Sequence, residues 1–289
     1  MALRSVANRL RMPQSRLAHI ARSLSTTMAD TAKIALSPTE FHAFRVTHVE
    51  RVSHNTARLV FALPSADHEM GLTVASCLMA KATIDGEDVV RPYTPTNSTR
   101  DKGVLELVVK GYPTGKLSKH ITGLQVGDSL EMKGPFVKFT YKPNTFTAGL
   151  GLVVGGSGIT PAFQVLQEIV QDANDRTPVD LIFANNTEDD ILLKDKLDAI
   201  AAEHEHIRVH YVLSQPPTNW SGHTGYVSRE LLETLLPPAS AGANVLIGVC
   251  GPPPMMEAIS GNKNPDKTQG ELRGLLQSLQ YTPDQVFKF

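Results

Sequence analysis

The hydrophobic rhythm of the chain changes at Gly149, and this change restricts the fold more than any single motif. Before it, from Thr39 to about Phe146, apolar residues alternate over 41–49 and 58–63, residues 104–110 are rich in β-formers, and 128–132 and 136–141 continue this pattern. A period of two buries one face of a strand. Many short strands punctuated by Gly, Pro and Asp predict an antiparallel barrel or sandwich. One short helix is expected among them, over 116–121. After Gly149, short apolar runs at 150–154, 179–184, 207–213, 244–250 and 286–289 read as strands. Between them, 160–170, 190–203, 229–236 and 270–279 carry helical spacing, with Ser228 placed to cap the third helix. Alternating strand and helix predicts βαβ units, a parallel sheet and right-handed crossovers. A chain of 289 residues is long enough for two such domains. Their expected extents are 39–146 and 149–289, with the linker around 143–149.

The parallel half carries Gly155-Gly156-Ser157-Gly158-Ile159-Thr160-Pro161 between a strand and a helix. Glycines let a backbone approach a pyrophosphate, and the helix N-terminus presents free N–H groups to it. Pro161 departs from G-x-G-x-x-G but suits the first turn of a helix. No Gly-Lys-Ser/Thr follows, which argues against a Walker A loop and ATP chemistry. Taken alone, the segment fits an ordinary glycine-rich turn as well as a nucleotide site.

Three further motifs surround it. Arg91-Pro92-Tyr93-Thr94 joins a cation, a flat aromatic face and a hydroxyl. Gly115-Lys116-Leu117-Ser118 opens the short predicted helix, where N–H groups and a positive charge suit phosphate. Cys250-Gly251-Pro252-Pro253-Pro254-Met255 ends a predicted strand. Ligands of open parallel sheets bind beyond the carboxyl ends of strands, which is where Gly155–Thr160 and Cys250–Pro252 fall. Each motif alone has a plain reading: a surface ion pair for Arg91, a core tyrosine for Tyr93, a buried free thiol for Cys250. In this order they point to a flavoenzyme fed by a nicotinamide nucleotide. No Gly-x-Ser-x-Gly elbow is present, which disfavours a serine hydrolase.

Composition narrows the partners. A net charge of -1 gives no reason to expect nucleic acid. The two cysteines, Cys77 and Cys250, form neither a paired framework nor a metal-ligand spacing, so both thiols are expected free. His204, His206 and His210 match no zinc motif, and no metal is expected. Residues 1–27 hold Arg4, Arg9, Arg11, Arg16 and Arg22, and no acid precedes Asp30. Leu3, Val6, Leu10, Leu17, Ile20 and Leu24 form an apolar face. Charge, amphipathy and missing acids agree on a mitochondrial transit peptide. A chloroplast address and a plain basic tail, which Pro13 would suit, are the competing readings. No apolar run reaches the ~18 residues of a spanning helix.

Together these residues resemble the ferredoxin-reductase-like family and, within it, the NADH–cytochrome b5 reductases, over roughly 39–289. The resemblance implies an antiparallel β-barrel FAD-binding domain followed by a Rossmann-like α/β domain for NADH. It implies Arg91 on the FAD phosphates, and Tyr93 and Thr94 against the isoalloxazine and ribityl, with Pro92 between them. Val108 and Lys110 match positions lining the flavin and the nucleotide entrance. Gly115, Lys116, Leu117 and Ser118 match the pyrophosphate segment. Gly156, Gly158 and Thr160 match the nicotinamide-nucleotide loop, and Cys250, Gly251 and Pro252 the last motif. Residues 183–185 and 189–193 resemble the adenosine-side region. The catalytic set is then Thr160, Cys250 and Lys110: Thr160 positions the ring, Cys250 shapes its approach by packing, and Lys110 holds the charged nucleotide. The ending and the basic presequence look most like plant and fungal mitochondrial members.

Ser214 departs from the pattern, since some members carry there an acid that favours NADH. NADH is still expected, with weaker discrimination against NADPH. The implied activity takes a hydride from NADH and passes single electrons to cytochrome b5 or a similar haem protein. A related reductase with another acceptor is the alternative, and a non-catalytic module on the same scaffold is the reading from a different class. No four-cysteine site for an iron–sulfur centre is present. A monomer is expected.

Overall fold

The antiparallel half follows from strands that bury alternate residues. In the computed structural model, which describes residues 32–289, β1 is His42–Ser53, β2 Thr56–Ala62, β3 Ser76–Ile84, β4 Glu87–Tyr93, β5 Val104–Lys110 and β6 Ser129–Val137. The expected presequence, residues 1–27, lies outside the described residues. The strands form one antiparallel sheet in the order β4-β3-β6-β1-β2-β5. Its two ends are tied past β4, where the Thr96 N–H donates to the Glu106 carbonyl of β5 at 2.9 Å. Phe44, Val46, Leu59, Phe61, Leu78, Leu105, Leu107 and Leu130 fill the interior. A short helix, α1 (Lys116–Gly123), closes it with Leu117 and Ile121.

The parallel half contains β7 (Gly149–Gly155), α2 (Ile159–Gln171), β8 (Val179–Asn185), α3 (Lys194–Glu203), β9 (Ile207–Leu213) and β10 (His223–Thr224). It continues with α4 (Arg229–Leu235), β11 (Val245–Cys250), α5 (Pro253–Ile259), α6 (Gly274–Ser278) and β12 (Val286–Lys288). The sheet order is β10-β9-β8-β7-β11-β12, and every pairing is parallel. The chain first builds outward from β7 through β8 and β9, then returns to place β11 on the other side of β7. The carboxyl ends of β7 and β11 therefore flank a topological switch point. One face of the sheet packs against Phe163, Leu166 and Leu197, the other against Leu232, Met256 and Leu276. Residues Ile34–Phe289 form one unit, which holds both sheets.

Several expectations need correction. Residues 128–132 and 136–141 are not two strands but one, β6, and the chain beyond Val137 is irregular. Pro135 is tolerated within β6 because it falls at a register shift against β3, past the last pairing with β1, where no ladder N–H is demanded. The helix expected over 190–203 begins only at Lys194: residues 188–190 form a 3-10 turn, and Leu193 takes a left-handed φ of 60°. Likewise 270–279 yields only the five-residue α6, because Gly270 and Gly274 both adopt φ of 66°. The β3–β4 hairpin is a further element beyond the expected strands, and its Asp85-Gly86 turn, with φ of 54° and 81°, is a strong hairpin signal.

Candidate functional site

The site begins with the two faces of β5. Leu105, Leu107 and Val109 point into the antiparallel core. The period of two sends Glu106, Val108 and Lys110 the other way, towards the parallel half. Val108 is buried within the apolar cluster of Phe163 and Phe183. Glu106 pairs with Arg58 at 2.6 Å and with Lys196 of α3 at 3.4 Å, and it accepts from Thr96 Oγ1 at 2.9 Å. Lys110 Nζ lies 2.7 Å from Asp190 Oδ1, with side chains only 13% and 9% exposed. Asp190 Oδ2 in turn accepts from Thr187 N and Oγ1, so the carboxylate is held from both sides. Burial pushes the Asp190 carboxyl up, but Lys110 and Thr187 outweigh it and leave it below the ordinary value.

Beside this pair lies a cleft of about 420 Å³. His54, Asn55, Lys110 and Tyr112 line it from the antiparallel side, and Asn186, Thr187, Asp190 and Gln215 from the parallel side. Ser214 stands next to it, with its hydroxyl 3.3 Å from Asn186 Oδ1 and its N–H donating to the Asn185 carbonyl.

The glycine turn meets the Cys250 turn at the switch point. A Cβ on Gly158 would collide with the carbonyl oxygen of Cys250, so only glycine allows this approach. Gly156 adopts φ of 52°, which a side chain would strain. Thr160 is buried at the start of α2 and donates to the Ser157 carbonyl at 3.3 Å. Cys250 is half-buried, and burial pushes its thiol up to about 11, so it is neutral at ordinary pH. Gly251 and Pro252 continue the turn into α5, where the prolines occupy the first positions. The final residues pack nearby: Phe287 lies 5.3 Å from Phe139 and 5.1 Å from Phe289, ring centre to ring centre.

The flavin-type residues lie on and just after β4 and at the start of α1. Arg91 is exposed on β4, bonded to the carbonyl of its own neighbour Val90 at 2.7 Å, and Pro92 beside it is exposed. Tyr93 packs on the antiparallel core, and burial pushes its phenol up to about 12. Thr94 is half-buried. Gly115 precedes α1 without any side-chain cap, so the first N–H groups of that helix have no side chain to meet them. Lys116 reaches Glu87 at 3.8 Å and Asp85 at 4.0 Å, which brings the start of α1 beside β4. The Ser118 hydroxyl turns inward, accepting from Tyr112 N at 3.2 Å and donating to the Gly115 carbonyl at 3.1 Å; it shapes the loop. Arg91, Lys116 and the uncapped helix start fit a diphosphate, and Tyr93 offers a ring face, so the donor set suits FAD.

Two contacts had no place in the sequence reading. Tyr112 Oη lies 2.8 Å from Ser157 Oγ and joins the loop after β5 to the glycine turn. The resemblance groups Asp190 with the adenosine side, and the structure adds its pairing with Lys110. Tyr112's place between Lys110 and Gly115 was an available signal. The Asp190 pairing was not, because it spans 80 residues.

Comparison with known proteins agrees with this architecture. The oxidoreductase FAD-binding domain family matches residues 43–141, and the oxidoreductase NAD-binding domain family matches residues 152–261. The chain is 46% identical over 264 residues to an NADH-cytochrome b5 reductase-like protein of Arabidopsis thaliana, covering 89% of this chain and 79% of that one. It is 48% identical to NADH-cytochrome b5 reductase 2 of Yarrowia lipolytica, covering 82% of each. The crystal structure of the cytochrome b5 reductase domain of Ulva prolifera nitrate reductase superposes with a TM-score of 0.76 at 27% identity, covering 88% of this chain and 99% of that one. With both domain families matched in order and relatives this similar over most of its length, the chain belongs to the NADH–cytochrome b5 reductase family.

Proposed function

We propose that this protein is an FAD-dependent oxidoreductase that accepts a hydride from NADH and delivers electrons one at a time to cytochrome b5 or a similar haem protein. The observation that carries this reading is the meeting of the glycine turn with Cys250–Gly251 at the switch point, beside the Lys110–Asp190 pair. FAD, when bound, supplies the conversion of a two-electron donor into single-electron steps. Arg91, Lys116 and the start of α1 hold its diphosphate, and Tyr93 and Thr94 bound its ring side. The glycine turn and the N-terminus of α2 accept the pyrophosphate of NADH. Thr160 anchors the turn through Ser157, and Cys250 limits by packing where the nicotinamide can lie. Its neutral thiol makes no covalent bond. Lys110 offers a positive charge to the nucleotide across the cleft.

The basic, acid-free residues 1–27 support import into mitochondria, and the protein is read as a monomer. Among the described residues no helix is long and apolar enough to cross a membrane. The reading is tested by anaerobic titration of the FAD-loaded protein with NADH, followed by addition of oxidised cytochrome b5. Bleaching of the flavin band by one equivalent, then reduction of the haem, is expected. A flavin band that NADH leaves unchanged refutes the donor, and a haem that stays oxidised refutes the acceptor in favour of another one.

A further inference from the structure

Helix α2 carries a polar stripe that the glycine turn does not explain. Thr160, Gln164, Gln167, Glu168 and Gln171 recur at helical spacing among the buried apolar residues Ile159, Phe163, Leu166 and Ile169. From Gln164 onward the stripe grips the antiparallel half. Gln164, only 2% exposed, accepts from Ser76 N at 3.1 Å. Gln167 Nε2 donates to the Thr96 carbonyl at 3.3 Å. Glu168 meets Arg100 at 2.9 Å, and the Gln171 amide meets Ser98 Oγ at 3.0 Å.

These contacts bracket the Tyr93–Thr94 segment. Ser76 opens β3, whose Leu78 pairs with Tyr93. Thr96 follows Thr94 on the way out of β4 and is fully buried. Its N–H donates to the Glu106 carbonyl and its hydroxyl to Glu106 Oε1, each at 2.9 Å. Gln164 therefore holds the backbone on one side of Tyr93–Thr94, and Gln167 holds it on the other.

Packing alone does not call for glutamines here. Gln164 Nε2 and Gln167 Oε1 are buried and have no hydrogen-bond partner among the described residues. Leaving a buried polar atom unpaired is costly, and a methionine would fill a similar volume without it. What the amides add is direction. A hydrogen bond fixes a helix along its axis and about it, which an apolar contact does not. The helix so fixed begins with Thr160, one turn before Gln164, and follows directly on the glycine turn.

We propose that Gln164 and Gln167 are positioning residues for hydride transfer. They hold α2 in register against the backbone beside Tyr93 and Thr94, and so set the spacing of the nicotinamide from the flavin ring. This rests on the function proposed above. Misplacing reacting groups by about 1 Å costs about 100-fold in rate, so a tie remote from the chemistry is enough to control it.

The test is anaerobic rapid mixing of the FAD-loaded full chain with NADH, and with NADH deuterated at the transferred position, beside calorimetric binding of NAD+. In Gln164→Met and Gln167→Met the limiting rate of flavin bleaching falls by about 10-fold or more, while flavin content and NAD+ affinity stay at the wild-type level. The slowed step carries a full deuterium isotope effect, which identifies it as hydride transfer. The long-wavelength charge-transfer absorbance of the reduced flavin with NAD+ weakens, since it depends on contact between the rings. A merely structural role would lower the melting temperature and leave that band in place. Wild-type bleaching rates and an unchanged band in both variants overturn the inference, and so does a loss confined to NAD+ affinity. Should Gln164→Met not fold, Gln167→Met, whose side chain is partly exposed, decides alone by the same readings. A wild-type flavin that NADH leaves unbleached removes the proposed function and this inference with it, whereas normal bleaching in wild type and variants alike removes only the spacing role.

Discussion

The hydroxyls of Tyr112 and Ser157 lie 2.8 Å apart, one on the loop between β5 and α1 and the other in the glycine turn after β7. The same loop carries Gly115 and Lys116, so one hydrogen bond connects the Gly115–Lys116 loop of the antiparallel half to the glycine turn of the parallel half. Tyr112→Phe keeps the ring and removes the bond. A net loss of about 1 kcal/mol is expected, seen as a several-fold rise in KM for NADH with little change in melting temperature. Steady-state kinetics on the FAD-loaded variant checks it, and an unchanged KM dismisses the coupling.

Arg91 is exposed and spends one N–H on the carbonyl of Val90. Its remaining donors suit a phosphate bidentately, which a lysine could not match. Arg91→Ala is expected to lose most of its flavin on gel filtration, and Arg91→Lys part of it, while the fold measured by circular dichroism stays intact. Flavin-to-protein ratios decide, and a fully flavinated Arg91→Ala variant contradicts the phosphate role.

Cys250 keeps its proton because burial pushes its thiol up to about 11. Alkylation by iodoacetamide at pH 8 should therefore be far slower than for a free peptide thiol. The sign for stability is also determined. Between the unperturbed value of 9.0 and about 11, the unfolded chain loses this proton while the folded chain retains it, so this group lowers stability as pH rises through that window. Cys250→Ala should remove that contribution and slow flavin reduction by NADH, with FAD retained. Rapid-mixing kinetics at the wild-type rate would exclude Cys250 from the mechanism.

Glu106 is 7% exposed and joins Arg58, Lys196 and Thr96. Burial pushes its carboxyl up, but Arg58, Lys196 and Thr96 outweigh this and hold it below its unperturbed value of 4.5. The folded state thus binds the proton less readily than the unfolded state. The stabilisation is complete above pH 4.5 and is lost as pH falls through the depressed folded value. Glu106→Gln should cost about 2 kcal/mol at pH 7, reduced from the fully buried case because Arg58 is partly exposed, and should flatten the acid limb. Urea unfolding at pH 7 and at pH 4 measures both.

Much of the fold could be read because its signals are local. The 104–110 and 207–213 strands appear at their expected bounds, and Ser228 caps α4 by accepting from Leu231 N at 3.2 Å. The misses were local signals overridden or overlooked. Leu193 breaks an otherwise helical run, and the Asp85-Gly86 hairpin lies in a strand pair whose Ala, Lys and Thr content obscures its alternation. In the site, Gly158 was legible because glycine between strand and helix marks close backbone approach. What it approaches, the carbonyl of Cys250, is 92 residues away.

The sequence by itself determined the periodicities, and with them an antiparallel half before Gly149 and a parallel half after it. It also determined the order of the four motifs, because each is a short string whose chemistry resides in its own residue types. Only the tertiary structure decided which charges meet. Nothing within 104–110 says that Lys110 faces Asp190 while Glu106 faces Lys196; that follows from the outward face of β5 docking on the parallel half. Such pairings depend on how two independently patterned sheets come together. Charges far apart in the chain carry no periodic signal of the partner they will find.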